Sequence, residues 1–548
     1  MKRLPALIAG IVILIALAAG SYFWATGLID SIYNYRSPLK DSPPQPGPAL
    51  NGPATRQVVF VLIDALRYDT SLKPDVMPVL NRLRQQGAQA LMHSQTPSFS
   101  EPGYSVLLTG AWPNLSDGPA VNLDYDQIPT WTQDNLFSAA FRSGLKTAVS
   151  GYYWFQKLIP QSDVGASFYT PGEDQVADRA VVDAALPWLA SDRYQLTLIH
   201  IDQVDYAGHH EGGPRDPRWD QAAARADGLL GEILAKLDLQ KDTILVLSDH
   251  GQIDAGGHGG PEAINLLEPF VLAGAGVRPG NYGDIQMVDV APTLAALLGT
   301  NLPASAQGQA RVDLLNLPAA TTTALPAAIA AQQTQLLQAY ARATGATLAI
   351  PQGSDVAAYQ AVLNADISAR QNSERLPRVI IALLILALPL LLILRHRRRT
   401  VLWFLGGALL YALLFNLRYA VLDGKTYSLS SVTGATDLIV YCAVTAAIAL
   451  VISWLVTSIG LGIFRQPPLP AARSVMGLVA LTIYLMLIPV LVHFALNGIV
   501  VTWILPEMWS AFIGLLSLIQ IIILSTLGLL LMGLTSLIAG LAGRKSIK

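Results

Sequence analysis

The sequence VVFVLIDALRYD, residues 58–69, begins with six consecutive apolar residues and then changes abruptly to polar ones. Such a run, without alternation, is typical of a strand that is buried on both faces of a parallel sheet. Similar runs recur at 196–201, 243–247 and 270–272, and helical patterns lie between them, as at 77–86 and 221–237. Strands that alternate with helices predict a doubly wound α/β sandwich.

Four polar segments of this region lie at a strand end or at a helix start, where open α/β sheets bind their ligands. They read IDALRYD (63–69), TPSFSEPGY (96–104), DQVDYAGH (202–209) and SDHG (248–251), the last followed by GGHGG (256–260). Each alone has an ordinary explanation as a helix cap or a turn. Together they bring three histidines and several carboxylates from separate loops, and Asp and His are ligands of zinc and manganese sites. The set therefore predicts a metal-dependent enzyme.

The composition divides the chain into a soluble part and a membrane part. Its 548 residues have a mean hydropathy of +0.42, but residues 51–375 have a soluble composition and both ends are rich in Leu, Ile, Val, Ala and Gly. The net charge of −2 excludes a strongly basic surface, so we expect no nucleic-acid partner. The single cysteine, Cys442, excludes an internal disulfide, a Cys-ligated zinc site and a catalytic Cys in the soluble part.

The N-terminal end predicts a transmembrane anchor over residues 1–27. Lys2 and Arg3 precede an apolar run, 4–24, which is long enough to cross a hydrocarbon core of about 30 Å and ends in interfacial aromatic residues. A signal peptide cut near Ala18-Ala19-Gly20 is the alternative, and either segment would export the soluble part of the chain. We expect a Pro-rich linker over 28–55, the α/β domain over 56–315 and a helical stalk next to the membrane over 316–376.

Residues 377–548 predict a C-terminal all-α transmembrane domain of about five helices, at 379–394, 401–417, 438–464, 475–496 and 509–541. With the N-terminus in the cytoplasm, the second, fourth and sixth spans end at basic clusters: 395–399, Arg465 with Arg473, and 544–548. All three clusters then lie in the cytoplasm, as the positive-inside rule requires. We therefore expect six spans, a cytoplasmic C-terminus and an extracytoplasmic soluble domain.

The order of these motifs resembles the alkaline-phosphatase superfamily, and within it the type I phosphodiesterase/nucleotide pyrophosphatase branch. The shared order is an Asp after the first strand, a Ser or Thr at the start of a helix that ends in Thr-Gly, then DxxGH, then SDHG. IDALRYD with SDHGxxxxGGHGG is most similar to the glycosylphosphatidylinositol ethanolamine-phosphate transferases, which also combine an N-terminal anchor, a lumenal catalytic domain and a multi-span C-terminal region. The resemblance covers about residues 58–300 by motif. It implies an alkaline-phosphatase-like catalytic domain at 56–315.

The resemblance also implies two divalent cations, which we expect to be zinc, with manganese as the alternative. Its motifs assign one cation to Asp205, His209 and His258, and the second to Asp64, Asp249 and His250. They make Ser100 the nucleophile, with its hydroxyl on the second cation, because a serine hydroxyl needs activation at neutral pH.

Three other polar residues lie close to these motifs. Asn122 follows Thr109-Gly110 at about the distance where the related enzymes place a phosphate-binding Asn, and an ordinary loop residue is the alternative. Asp202 has no counterpart in the motif, so we expect it to support the site only indirectly. His200 lies within an apolar strand, and we expect it to be a core histidine with its hydrogen bonds satisfied.

The leading hypothesis is an enzyme that cleaves a phosphodiester through an intermediate on Ser100 and passes the group to water or to a sugar hydroxyl. Six spans favour a phosphoethanolamine-type transferase with a phospholipid donor and a glycan acceptor. The alternative is a membrane-tethered nucleotide pyrophosphatase/phosphodiesterase. A non-catalytic membrane scaffold is disfavoured by the complete ligand set. The candidate base-binding aromatic residues for nucleotide activity are Trp112, Tyr152, Tyr153 and Trp154.

Overall fold

The computed structural model of the protein describes residues 3–393, 398–432 and 434–545. The chain divides into two compact units. The sheet unit consists of Tyr33–Arg370 with Thr502–Leu505, and the helical unit consists of Met1–Ile32, Gln371–Val501 and Pro506–Lys548. The finer division of the sequence into anchor, linker, catalytic domain, stalk and membrane domain stays a prediction.

One mixed sheet forms the centre of the sheet unit, and the described residues contribute eight strands to it. They are β1 (Val58–Ile63), β2 (Ala88–His93), β3 (Thr147–Tyr152), β4 (Ala166–Thr170), β5 (Leu196–Ile201), β6 (Thr243–Leu247), β7 (Leu267–Gly274) and β8 (Gly280–Gln286). The spatial order is β4-β3-β5-β1-β6-β7-β2-β8. β7 pairs antiparallel with β6 and β2, and the remaining ladders are parallel.

Helices cover both faces of this sheet. On one face α3 (Pro78–Gln86), α8 (Gln175–Leu189) and α10 (Pro217–Leu234) pack around alternate strand residues such as Val59 and Val61. Phe60 and Leu62 are equally buried on the opposite face, where α4 (Ser100–Thr109), α6 (Leu136–Arg142) and α11 (Val290–Leu298) pack against one another. The helices of the sheet unit are α2 (Tyr68–Ser71), α3 (Pro78–Gln86), α4 (Ser100–Thr109), α5 (Pro113–Ser116), α6 (Leu136–Arg142), α7 (Trp154–Leu158), α8 (Gln175–Leu189), α9 (Gln203–His210), α10 (Pro217–Leu234), α11 (Val290–Leu298), α12 (Ala319–Thr344) and the start of α13 (Val356–Ile393).

This arrangement confirms the predicted doubly wound α/β sandwich. The apolar runs at 58–63, 196–201 and 243–247 are strands with the predicted ends, and 270–272 is the centre of β7. The strands β2, β3, β4 and β8 were not predicted. β2 alternates buried and half-buried residues, and β8 is a mostly exposed edge strand, so neither carries a continuous apolar run.

The strand β1 lies between β5 and β6, and its C-terminal end is level with theirs. Ile63 pairs with Ile201, and Leu62 pairs with Leu247. Because the three strands are parallel, the residues that come after them emerge at one edge of the sheet. The polar segments that begin at Asp64, Asp202 and Ser248 therefore meet there.

The helical unit contains α1 (Arg3–Tyr33), α14 (Arg398–Asn416), α15 (Ala435–Gly460), α16 (Pro468–Asn497) and α17 (Met508–Lys545). Their buried side chains, Cys442 among them, form one apolar core. Of the helices in the described ranges, five are long and apolar enough to cross a membrane. The protein is therefore an integral membrane protein. The five helices are Leu4–Tyr33, Arg399–Leu422, Thr436–Gly460, Pro468–Asn497 and Met508–Ala542.

The predicted second span, 379–394, belongs to α13 up to Ile393. The sequence led us to expect two helices, 356–372 and 379–394, but α13 is continuous from Val356 to Ile393. At the expected break, Glu374 and Arg378 form an ion pair of the i, i+4 kind that supports a helix. Residues 394–397 and 546–548, which include much of two basic clusters, lie outside the described residues. The span count and the orientation stay predictions.

Candidate active site

Two carboxylates and one imidazole from adjacent strand ends converge at the edge of the sheet. Asp64 follows β1, and Asp249 and His250 follow β6 after Ser248. The Nε2 atom of His250 lies 3.5 Å from Asp64 Oδ1 and 3.4 Å from Asp249 Oδ2. One ligand atom of each of these three residues lies within 4.8 Å of the other two, which is a spacing that one cation can bridge.

A second group lies beside the first. Asp205 and His209 are one turn apart on α9, and His258 comes from the glycine-rich loop after β6. His258 Nε2 lies 3.0 Å from His209 Nε2 and 3.6 Å from Asp205 Oδ1, and His209 Nε2 lies 3.5 Å from Asp205 Oδ2. His250 joins this group too, because a ligand atom of Asp205, His250 and His258 lies within 4.8 Å of the others. The structure thus brings together every residue that the sequence assigned to a cation.

Main-chain carbonyl groups fix the orientation of the two buried histidines. His250 Nδ1 lies 3.0 Å from the carbonyl oxygen of Gly251, and His258 Nδ1 lies 2.9 Å from that of Ser98. A ring N–H that donates to a carbonyl leaves the lone pair on the opposite nitrogen, Nε2. Burial also lowers the pKa of His258 well below its ordinary value, and the neighbouring His250 adds to this effect. Both Nε2 atoms therefore face the carboxylates as acceptors.

The carboxylates also present free acceptors. In the described part of the chain Asp64 Oδ1 and Asp249 Oδ2 are buried without a hydrogen-bond partner. Burial raises the pKa of Asp249 well above its ordinary value, and the charge of Asp64 raises it further. Acceptor atoms that converge with no donor between them suit a divalent cation, which supplies the missing positive charge. The residues present therefore fit the two divalent cations that the sequence motifs imply.

Ser100 is the first residue of α4, and its side chain faces the first group. The residue is 5% exposed, and its Oγ lies 3.1 Å from His250 Nε2. A glycine allows this approach: a Cβ on Gly103 would lie 2.9 Å from the Cβ of Asp249. Real Cβ atoms essentially never come so close, so α4 reaches Asp249 only because residue 103 has no side chain.

Asn122 lies next to the start of α4. Its Oδ1 accepts a hydrogen bond of 3.0 Å from the N–H of Glu101, which leaves its Nδ2 as a donor. The start of a helix at Ser100 predicts main-chain N–H groups that are free to donate to phosphate oxygens. The N–H of Glu101, however, already donates to Asn122. Burial raises the pKa of the Glu101 carboxyl to about 9, so this side chain adds no negative charge to the site at neutral pH.

Two residues that the sequence did not assign hold Asp64 in place. His200 Nε2 lies 3.0 Å from Asp64 Oδ2 and 2.9 Å from the hydroxyl of Tyr104, which also donates to Asp64 Oδ2. His200 is thus not an ordinary core histidine. The sequence shows only that His200 lies two residues before Asp202, at the end of a strand. That Asp64 is its partner becomes apparent only from the pairing of Leu62 with His200.

The side chain of Gln252 holds Asp205 of the second group in place. Its Nε2 donates to Asp205 Oδ1, and its Oε1 accepts from the N–H of Gly257. Gly208 lies against this carboxamide, and a side chain at position 208 would overlap it. Gln252 directly follows the SDHG motif, but the motif itself assigns no role to this position.

Known proteins resemble this chain over the same region. Residues 58–381 match the family model for type I phosphodiesterase/nucleotide pyrophosphatase. The catalytic subunit of human GPI ethanolamine phosphate transferase 2 is 27% identical over 295 residues, which are 48% of this chain and 29% of that protein. The catalytic subunit of human GPI ethanolamine phosphate transferase 3 is 25% identical over 301 residues, which are 50% of this chain and 27% of that protein. The chain therefore matches less than a third of the length of either relative.

Among solved structures, human ectonucleotide pyrophosphatase/phosphodiesterase 5 aligns with 47% of this chain and 100% of its own chain, at 17% identity and a TM-score of 0.39.

Proposed function

The chain belongs to the type I phosphodiesterase/nucleotide pyrophosphatase family, and on that premise we propose that it is a metal-dependent phosphodiester transferase or hydrolase with Ser100 as its nucleophile. The single observation that carries the proposal is the position of the Ser100 hydroxyl, 3.1 Å from His250 Nε2 and beside the unpartnered oxygens of Asp64 and Asp249.

The two groups described above would hold the two divalent cations, with Asp64, Asp249, His250 and the Ser100 hydroxyl at one and Asp205, His209 and His258 at the other. When bound, such cations lower the pKa of a coordinated hydroxyl and offset the charge of a phosphoester. Zinc is the cation that this mixture of imidazole and carboxylate ligands suits best, and manganese is the alternative.

The chain's own residues account for two successive displacements at phosphorus. In the first, Ser100 Oγ forms a bond to phosphorus, the bond to one ester oxygen breaks, and the departing alcohol takes up the proton that Ser100 loses. In the second, a water or an acceptor hydroxyl attacks the same phosphorus, loses its proton and releases Ser100, which regains one. In both steps the amide Nδ2 of Asn122, whose Oδ1 accepts from the N–H of Glu101, would donate to a nonbridging oxygen.

Transfer at the extracytoplasmic face of the membrane is the form of the reaction that we propose. The membrane helices support it, because a phospholipid donor resides in the bilayer and a soluble substrate needs no more than one anchor. The names of the similar transferases support phosphoethanolamine as the group that moves and a glycan as the acceptor. We expect the sheet unit and its site to lie outside the cytoplasm.

A nucleotide substrate has less support. The rings of Tyr125 and Tyr153 stack on each other with centroids 4.4 Å apart, which leaves no gap for a base between them. Lys157 covers Tyr125, with its Nζ 4.6 Å from the ring centroid. Trp112 lies beyond the C-terminal end of α4, whereas Ser100 begins that helix. A scaffold without catalytic function has less support again, because no predicted ligand is missing.

The test is the activity of the purified full-length protein in detergent on three diesters: phosphatidylethanolamine with a glycan acceptor, a nucleotide diester, and an aryl phosphodiester. Each is measured after chelation and after readdition of Zn²⁺ or Mn²⁺. We expect turnover of the aryl diester and of the lipid donor that disappears on chelation and returns with the cation. Turnover of the nucleotide alone would favour the tethered pyrophosphatase. No cation-dependent turnover of any diester would contradict the proposal.

A further inference from the structure

Asp202 is a strand-end carboxylate for which the site described so far has no use. It follows β5 directly and occupies the residue before α9, the position from which an Asp usually caps a helix. Its side chain makes no capping hydrogen bond there. The main chain of Asp202 is held separately, because its N–H donates to Asp178 Oδ1 at 2.8 Å. The side chain therefore does not cap the helix that it precedes.

The carboxylate of Asp202 has no partner among the described residues, although the residue itself is largely buried. The residue is 7% exposed, and its side chain forms neither a hydrogen bond nor an ion pair with any other described residue. One of its oxygens lies within 4.8 Å of a ligand atom of Asp64 and of His200, so it faces the metal site. A buried charge in this position is costly unless something pairs with it.

The surroundings of Asp202 add negative charge. Asp64, Asp205, Asp178 and Glu173 all act electrostatically on it. Two divalent cations would offset the three proposed ligand carboxylates, Asp64, Asp205 and Asp249, together with one bound phosphodiester. Burial, and then the charges of these neighbours, raise the pKa of Asp202 well above its ordinary value, so its ionised form needs a positive partner beside the substrate. A cationic group on that substrate is the natural counter-charge.

Aromatic side chains lie near His200, which shares a cluster with Asp202 and Asp64. Tyr152 ends β3 beside the end of β5, and its hydroxyl donates to Glu173 Oε1 at 2.6 Å. Its ring lies 6.5 Å from that of His200, 4.7 Å from that of Tyr153 and 4.9 Å from that of Trp154, measured between centroids. Aromatic faces together with carboxylates bind organic ammonium ions, whereas hard divalent ions prefer oxygen and imidazole ligands alone.

We infer that Asp202, with Tyr152 and Glu173 beside it, binds the ammonium group of an aminoalkyl phosphodiester while the phosphate lies at Ser100. The inference rests on the proposed function and assigns to it the residue that recognises the primary amine at the end of a short carbon arm on the phosphate. Asp202 is then a specificity-determining residue. The aromatic ring beside it favours this occupant over a third divalent cation, which would also compete with the hydrogen bonds of His200 to Asp64 and Tyr104.

The test compares two aryl diesters of similar size, one with an aminoethyl arm and one with a propyl arm, and measures the ratio of their kcat/KM values. We expect the wild-type protein to prefer the aminoethyl ester by ~10- to 100-fold, the usual size of one charged hydrogen bond. Asp202→Asn should bring the ratio close to one, and Asp202→Glu should restore part of it. The matched control is Asp174→Asn, whose side chain caps α8, and it should keep the wild-type ratio.

Binding of the free headgroup gives a second readout that needs no turnover. Phosphoethanolamine should raise the unfolding temperature of the wild-type protein more than propyl phosphate does, and Asp202→Asn should abolish the difference.

A wild-type protein that turns over both diesters equally would overturn the ammonium site and leave the proposed function standing. A ratio that persists in Asp202→Asn, or a loss of bound divalent cation in that variant, would also overturn it. Failure to cleave either diester would count against the proposed function, and the binding comparison would still decide the ammonium site.

Discussion

Gln252 Nε2 donates a hydrogen bond of 2.6 Å to Asp205 Oδ1. Gln252 is buried, and through its Oε1 it also holds the N–H of Gly257 at 3.2 Å, in the loop that carries His258. One carboxamide therefore connects the two elements that contribute to the second ligand group. Its role is to orient ligands rather than to bind a cation itself.

Gln252→Ala should weaken cation binding at that group by ~10- to 100-fold, the range usual for loss of a group that orients a metal ligand. Calorimetric titration of the metal-free protein with Zn²⁺ measures this effect. Gln240→Ala, at an exposed position before β6, is the control and should bind like the wild type. Equal affinity in all three proteins would show that Asp205 needs no support.

Ser100→Ala should lower turnover of an aryl diester by about 10³-fold or more, because the covalent path is lost. Stability should change by at most about 1 kcal/mol, since the Ser100 side chain does not cap α4 and loses only its contact with His250. Ser100→Thr should keep measurable turnover because it retains a hydroxyl. Turnover and thermal unfolding are measured on the same preparations. Near-normal turnover of Ser100→Ala would mean that water is the nucleophile.

Chelation should abolish activity, and His209→Ala should reduce the bound divalent cations from two per chain to one. The fold should survive, because the His209 side chain is 34% exposed and lies at the end of α9. His210→Ala removes the adjacent exposed histidine, which packs against Tyr206 and is not a proposed ligand, so it should keep both cations. Metal analysis after dialysis gives the counts. Full activity in excess chelator would exclude the two-metal site.

Gly103→Ala should destabilise the protein by ~1–3 kcal/mol and slow turnover, because the new Cβ meets Asp249 and forces α4 to shift. Its matched control is Gly228→Ala in α10, where nothing lies within 4 Å of the added Cβ. That change should stabilise the protein by about 0.5–1 kcal/mol through helix propensity. Thermal unfolding and turnover of both variants decide between the two effects. A stabilised, fully active Gly103→Ala would contradict the close approach of α4 to Asp249.

Cysteines introduced at Ser42 and Ser354 should react with a membrane-impermeant thiol reagent in intact cells, and one at Ser474 should not. The prediction follows from the basic clusters that we expect in the cytoplasm. The native Cys442 is buried and gives little background. Labelling in the reverse pattern would invert the orientation of the whole chain.

Much of the fold and of the site could be predicted because the decisive features are local. Continuous apolar runs gave β1, β5 and β6 with their ends, and Asp64, Asp249 and His250 follow those ends within three residues. A strand end is visible in the sequence, and the geometry of a parallel sheet then brings separate strand ends together.

The remainder depends on contacts between distant segments. His200 supports Asp64 only because β5 pairs with β1 in the register that sets Leu62 beside His200. Gln252 has a role only because α9 brings Asp205 to it. Asp202 looks like a helix cap in the sequence, and only the structure reveals that its side chain makes no capping hydrogen bond. Such roles depend on register and direction, which hydrophobic patterns do not determine.

The two buried histidines owe their orientation to the carbonyl oxygens of Gly251 and Ser98, and every amino acid carries a carbonyl oxygen. The hydrogen bonds that orient these rings therefore do not depend on the chemistry of the side chain at position 98. At position 251 only the space is restricted, because a Cβ there would lie 2.1 Å from the carbonyl oxygen of Ile264. During evolution, neighbouring loops can exchange residues that select a headgroup or an acceptor while both imidazoles keep the same nitrogen turned inward. Substrate specificity can therefore change through substitutions in the neighbouring loops while the orientation of His250 and His258 stays the same.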